Sequence, residues 1–372
     1  MAGEEVQKPE AVAASAPEAE KPTEIATEPA AATEPEEAPK EAPKEAAENA
    51  PQEATETQEA AEIAPVEAAQ VAPVEAVKEA PEEAPKQDSK EDASTPKQTP
   101  IAELWDAAKS NGHPEIWGVT LADPSTHIPT QIILQKYLNA NDGDLVKAKD
   151  QLIKTLEWRA KTKPLDLVKK TFSKAKFEGL GYVTSYVGDA SDATDPENKE
   201  VFTWNIYGGV KSIDETFGNL EEFIEWRVAL MELALAELPL STATKPITAE
   251  HDPYKIFQVH DYKSISFLRQ SPVVKAASTE TIRVFAQGYP ELLKEKFFVN
   301  VPAIMGFMYA LIKLFVAAKT ARKFHPMSSG AGLAKEFGGG KTKVAGLGEK
   351  LPGAYGGKGD ALDVLGKQPE LE

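Results

Sequence analysis

YPELLKEKFFVNVPAIMGFMYALIKLFVAAKTARKF, residues 289–324, changes character part-way along. KFFVNVP at 296–302 reads as a short strand. AIMGFMYALIKLFVAA follows it directly, and Lys313 is the only charged residue in 301–318. A membrane-spanning helix needs about 20 apolar residues, so the segment is marginal by length. It also lacks a basic flank on its N-terminal side. We read it as a helix that covers an apolar cavity or lies within a core.

Upstream, strand and helix patterns alternate. GYVTSYV at 181–187 is rich in β-formers. In VFTWNIYGG at 201–209, Phe202, Trp204 and Ile206 alternate with Thr203, Asn205 and Tyr207. A helix capped by Asn219 and Glu222 is expected over 220–238. YKIFQVHDY at 254–262 reads as another strand and 272–288 as another helix. Strands alternating with helices argue an α/β fold with a mainly parallel sheet. Before this region, Thr99-Pro100 opens a helix that runs to Asn111-Gly112. A second helix runs through QIILQKYLNA. A third follows Asn141-Asp142-Gly143, with Leu145, Ala148, Leu152 and Leu156 on one stripe. Residues 99–170 therefore read as a helical lobe and 171–366 as the α/β domain.

The first hundred residues differ in kind. They hold 25 Asp and Glu against 8 Lys, 14 of the 28 prolines, 26 alanines and no aromatic residue. Of the net charge of −18, this segment carries −17 and the remaining 272 residues −1. Without an apolar stripe it cannot offset a chain entropy of about 1–2 kcal/mol per residue, so residues 1–98 are expected to be a disordered acidic tail. The near-neutral remainder argues against electrostatic steering to nucleic acid. The absence of cysteine excludes disulfides, thiolate zinc sites and iron–sulfur clusters. MAGEEVQKPE carries no pattern of a secretory signal. GGGKT at 338–342 lacks the first glycine of a P-loop, since Lys335 stands there, and GLGYVT at 179–184 lacks the third glycine of a dinucleotide fingerprint. The five histidines are scattered, without a His-Glu-x-x-His pair.

Several residues draw attention by position. Arg227 shares a stripe with Leu220, Phe223, Met231, Ala234 and Leu238, which puts a guanidinium on an apolar helix face. Burial without an anionic partner costs several kcal/mol, roughly; the partner is either a core carboxylate or a ligand carboxylate. On strand 254–262, His260 and Tyr262 share a face about 6.5–7 Å apart. They read either as a satisfied polar pair within the fold or as a ligand to haem iron with a neighbouring donor. Lys296 is placed on a face with Phe298 and Asn300. Tyr182 is a further candidate for the same cavity, with Tyr186 as an equally placed competitor.

The run 289–324, with Tyr-Pro-Glu at 289–291, a strand ending in Asn-x-Pro and an apolar helix after it, resembles the CRAL-TRIO lipid-transfer family. LPGAYGGKGDAL at 351–362 is similar to that family's Leu-Pro-x-x-Tyr-Gly-Gly ending. The resemblance covers about residues 100–365. It implies a helical lobe, a sheet floor, helical walls and one ligand cavity. It also implies that Glu291, Thr320 and Lys323 serve the inositol headgroup of phosphatidylinositol. QVHDYKSISFLRQSP departs from the family's Asp-x-x-Gly pattern, with Lys263 and Ser264 after Asp261-Tyr262. With the acidic tail, this resembles the fungal non-classical phosphatidylinositol transfer proteins that bind haem. That likeness implies a ferric haem b on Tyr262, tuned by His260, with Tyr182, Arg227 and Lys296 holding or neutralising the porphyrin. It further implies a non-catalytic role in phosphoinositide homeostasis or in the response to haem and oxidants, in the cytoplasm with peripheral contact at endoplasmic reticulum membranes. Competing readings are a haem-dependent peroxidase-like enzyme and an interaction scaffold acting through its tail, whose partner the sequence does not name. If the tail is unstructured, deleting residues 1–95 leaves melting temperature and ligand content nearly unchanged; a fall of many degrees in a thermal melt would show that it is part of the fold.

Overall fold

A computed structural model of the chain describes residues 98–188, 194–248, 250–264, 271–301, 322–338 and 342–372. The expected acidic tail, the apolar helix after Val301 and Thr320 lie outside the described residues. Among the described residues, no helix is long and apolar enough to cross a membrane.

Local chemistry sets the helical lobe. The Thr99 hydroxyl accepts from the Ala102 N–H, and Pro100 opens helix α1 (Pro100–Asn111) where no intrahelical donor is lost. A hairpin of β1 (Glu115–Ile116) and β2 (Val119–Thr120) follows, too short to leave a periodicity in the sequence. Helices α2 (Ile128–Ala140) and α3 (Leu145–Thr162) complete the lobe, with the Asp144 carboxylate capping α3 at Lys147 N. Short turns α4 (Pro164–Leu167) and α5 (Lys174–Phe177) lead into the sheet.

Among the described residues, that sheet has five strands in the order β3 (Gly181–Val187), β4 (Lys199–Ile206), β5 (Ile256–Asp261), β6 (Leu293–Val299) and β7 (Phe324–Pro326). The β3–β4 pair is antiparallel and the other three pairs are parallel. The sheet is thus mainly parallel, as the alternation of elements predicts, with one antiparallel edge strand. Strand β7 leaves no mark in the sequence, because three residues carry no usable alternation. Helices α6 (Ile213–Phe217) and α7 (Leu220–Ala236) lie in the connection from β4 to β5, and α8 (Pro272–Gly288) in that from β5 to β6. The predicted capping of α7 is present, with Glu222 N donating to Asn219 Oδ1 at 3.2 Å.

The two faces of the sheet are covered differently. Val183, Val201 and Ile256 point toward α7 and the helical lobe, within one large buried cluster. On the other face, Tyr182, Tyr186, Phe202, Trp204, Phe257, Val259, Phe297 and Val299 pack against the C-terminal segment through Leu333, Phe337, Leu351 and Tyr355. Gly181 is the contact point of α7. A Cβ there would stand 2.7 Å from both Leu230 and Trp226, so only glycine lets the helix lie this close. Residues beyond 366 also join the domain: Lys367 pairs with Val183, and Leu371 bridges Phe172.

The helical lobe is tied to the α/β domain by a buried ion cluster. Arg159 Nη1 lies 2.6 Å from Glu232 Oε1 on α7, and Arg159 Nη2 lies 2.7 Å from Glu115 Oε1. The Tyr289 hydroxyl donates to Glu232 as well, at 2.8 Å. Burial, then the Glu232 charge, holds that hydroxyl well above the ordinary tyrosine pKa, so it stays a donor. Replacing one member leaves the others charged and dry. Arg159→Met is therefore expected to lower stability by about 3–5 kcal/mol, measured by urea unfolding of the full chain. A change below about 1 kcal/mol would mean the cluster behaves as a solvated surface pair.

Candidate functional site

The register places each sequence candidate. Gly181, Asn205 and His260 are cross-strand neighbours, and so are Tyr182, Trp204 and Val259. Neighbours share a face, so His260 lies on the α7 side. Tyr182 and Tyr186 lie on the opposite side. The expectation that Tyr182 reaches the cavity of His260 is corrected: its ring belongs to the Trp204 and Phe297 cluster, and Tyr186 offers no alternative. A one-residue shift in strand phase decides this.

On the α7 side, β5 ends in a knot of rings. His260 is fully buried, with Tyr207 at 5.5 Å and Phe298 at 5.6 Å between ring centroids. Tyr262 lies one residue beyond β5, and its N–H still donates to Val299 O. Its ring sits 5.6 Å from Tyr207 and 6.3 Å from Phe298. The expected pairing of His260 and Tyr262 on one face is therefore present. Lys296 joins them through Phe298, with Nζ 5.1 Å from the ring centre. Asn300 does not share that face. At φ 58 it turns back, and its amide donates to Asp261 Oδ1 at 2.7 Å. Asp261 Oδ1 also accepts from Lys263 N, and Oδ2 accepts from the Tyr355 hydroxyl at 2.8 Å. Burial, and then the Asp261 charge, push the Tyr355 pKa up, which keeps it a donor.

Arg227 lies on α7, over the same face. It is 4% exposed. Its guanidinium carbon stands 5.4 Å from the Phe285 ring centre. Its Nε and Nη1 find no hydrogen-bond partner among the described residues. Among the described residues, then, neither atom meets a core carboxylate. Asn205, level with His260, has a buried Oδ1 that likewise lacks a partner among the described residues. Sequence reasoning singles out neither Tyr207 nor Asn205, although both lie on the strand face opposite Trp204 and share it with His260. No group of three His, Asp or Glu side chains among the described residues is placed to hold a bare metal ion.

The other end of the sheet gathers a second set. Glu291 and Lys323 meet there, with Lys323 Nζ 3.9 Å from Glu291 Oε2. Lys255, which has no distinguishing pattern in the sequence, is 3.6 Å from the same oxygen. Lys323 also donates to Leu293 O. Glu291 has a φ of 54, a left-handed conformation that costs a side-chain-bearing residue roughly 1–2 kcal/mol. Two ammonium groups here can donate to an anionic phosphodiester, while the carboxylate between them can accept from hydroxyl groups.

The CRAL/TRIO domain family matches residues 194–339 of this chain. The chain is 77% identical over 274 residues to the phosphatidylinositol transfer protein SFH5 of Chaetomium globosum, a match that spans 74% of this chain and 62% of that protein. It is 65% identical over 285 residues to phosphatidylinositol transfer protein sfh-5 of Neurospora crassa, covering 76% of this chain and 78% of the relative. The crystal structure of Sfh5 superposes with a TM-score of 0.57 at 27% identity, over 73% of this chain and 93% of that one.

Proposed function

The chain belongs to the CRAL/TRIO domain family, and from that premise we propose that it is a non-catalytic carrier that transfers phosphatidylinositol between membranes and also binds haem. The observation that carries the lipid reading is the meeting of Glu291, Lys323 and Lys255, residues from three separate segments, at one end of the sheet. The phosphodiester of phosphatidylinositol needs cations, which Lys323 and Lys255 supply. The inositol hydroxyls need acceptors, which the Glu291 carboxylate supplies. The names borne by the relatives support this substrate. In the cell the carrier would work in the cytoplasm, meeting endoplasmic reticulum membranes only transiently.

For haem, the test of fit is Arg227. A guanidinium this deeply buried, with two nitrogens lacking partners among the described residues, suits a propionate carboxylate. Tyr262 would hold the iron. His260 would adjust the Tyr262 phenolate from the neighbouring same-face position, and Tyr207 and Phe298 would wall the ring. Lys296 would add positive charge beside Phe298. When bound, haem supplies a redox-active iron that can meet oxidants, and a hard anionic phenolate favours the ferric state.

Each half has its own measurement. Glu291→Ala or Lys323→Ala is expected to lower phosphatidylinositol transfer between vesicles by about tenfold or more while leaving the Soret absorbance intact. Unaltered transfer in both variants would remove the headgroup assignment. Tyr262→Phe is expected to abolish or greatly weaken haem occupancy per folded protein. His260→Ala should keep haem with a changed spectrum, and Arg227→Ala should lower occupancy. Full occupancy in Tyr262→Phe with loss in His260→Ala would reverse the axial assignment. Turnover of peroxide well above that of free haemin would instead make the protein an enzyme.

A further inference from the structure

Lys136 belongs to α2 of the helical lobe, yet its ammonium group is buried among segments of the α/β domain. Its side chain is fully buried, and all three of its N–H groups are engaged. Nζ stands 2.6 Å from Asp252 Oδ2 and donates to Tyr254 O at 2.9 Å and to Glu291 O at 3.1 Å. These acceptors lie on two of the three segments that carry the headgroup candidates. Lys255 follows Tyr254 directly, and its Nζ is 3.7 Å from the same Asp252 oxygen. Glu291 has a left-handed backbone, and Lys136 grips its carbonyl.

We propose that Lys136 is a positioning residue for headgroup recognition: it touches no ligand, but through Asp252, Tyr254 O and Glu291 O it sets the spacing of Lys255 and Glu291. The proposal rests on the phosphatidylinositol reading above. Its physical basis is that one cation fixes both segments. Without it, Asp252 is left as a buried acid that keeps the Tyr254 N–H and, as its charged neighbour, Lys255, and the carbonyl of Glu291 loses the Lys136 donor. Lys255 is then drawn toward Asp252 and away from Glu291, and the phosphate loses a cation. The helical lobe thus takes part in selecting the lipid.

Burial pulls the Lys136 pKa down from 10.5 to about 8, with the Asp252 charge acting in the opposite direction. The groups facing it are Asp252, Lys255 and Glu291. Lys136 is charged below pH 8 and loses its proton as the pH rises through that value. The grip on Asp252 and Glu291 should weaken over the same window.

The test uses the full chain and phosphatidylcholine vesicles holding a graded content of phosphatidylinositol. Lys136→Met keeps the aliphatic stem and removes the charge. It is expected to raise the phosphatidylinositol content needed for half-maximal transfer about tenfold, with maximal transfer changed by less than about twofold. In the wild type that content should rise between about pH 7 and pH 9, and in Lys136→Met it should not. Should Lys136→Met fold poorly, the double variant Lys136→Met with Asp252→Asn, which leaves no lone buried charge, is read by the same measure: the Tyr254 and Glu291 carbonyls still lack the one donor that joins their segments, so the half-maximal content should still rise and no longer follow pH. A folded variant with the wild-type half-maximal content and pH profile, beside an impaired Lys323→Ala, overturns the positioning role. A loss of maximal transfer at unchanged half-maximal content does so too, because it marks only a shortage of folded protein. If Lys323→Ala and Glu291→Ala are themselves unimpaired, it is the headgroup reading that fails.

Discussion

The Asp261 carboxylate fixes the end of β5 on which the ring cluster depends. Its two oxygens accept from the Lys263 N–H, the Asn300 amide and the Tyr355 hydroxyl. The three donors come from the turn after β5, from the end of β6 and from the C-terminal segment. Because Asp261 is held on the face packed by the C-terminal segment, its neighbours His260 and Tyr262 are held on the other. The Asn-x-Pro ending of β6 and the Leu-Pro-x-x-Tyr-Gly-Gly ending of the domain look unrelated in the sequence. In the fold, Asn300 and Tyr355 meet at one oxygen pair. Asn300 also accepts from Gly330 N at 2.7 Å, and a side chain at Gly330 would collide with it.

A parallel sheet has two unlike ends, and in this protein they carry unlike side chains. Lys255, Glu291 and Lys323 stand where β5, β6 and β7 begin; His260, Tyr262, Tyr207 and Phe298 stand where β5 and β6 finish. Six residues of β5 separate the ends, roughly 17 Å at the rise of a strand. That distance is why variants at one end are expected to leave the other unaffected.

Much of this is legible in the order of residues alone. Alternation in 201–209 and 254–262 puts Asn205 with Tyr207, and His260 with Tyr262, on shared faces, and the stripe of α7 singles out Arg227. What alternation within one strand cannot do is align that strand with its neighbours. Tyr182 alternates correctly within β3, yet its pairing with Trp204 puts it on the far side. Asn300 alternates with Lys296 and Phe298, but its positive φ breaks the alternation at the last step. Lys136 and Arg159 carry a signal that is easily passed over. Lys136 falls three residues after Ile133, and Arg159 continues the stripe of Leu152 and Leu156. Both put a cation on an apolar face, as Arg227 does. Lys255 has no such mark, since its role comes from Asp252 and Glu291 meeting it in space.

The proposed function depends on a division of the sheet into a headgroup end and a ring-lined end. A crystal structure of the protein loaded with phosphatidylinositol tests that division most directly. The expected result is density for the phosphodiester within hydrogen-bonding reach of Lys323 or Lys255, with the inositol hydroxyls on Glu291. A headgroup found instead beside Arg227 and His260, with Lys323 still turned to Leu293 O, would contradict it.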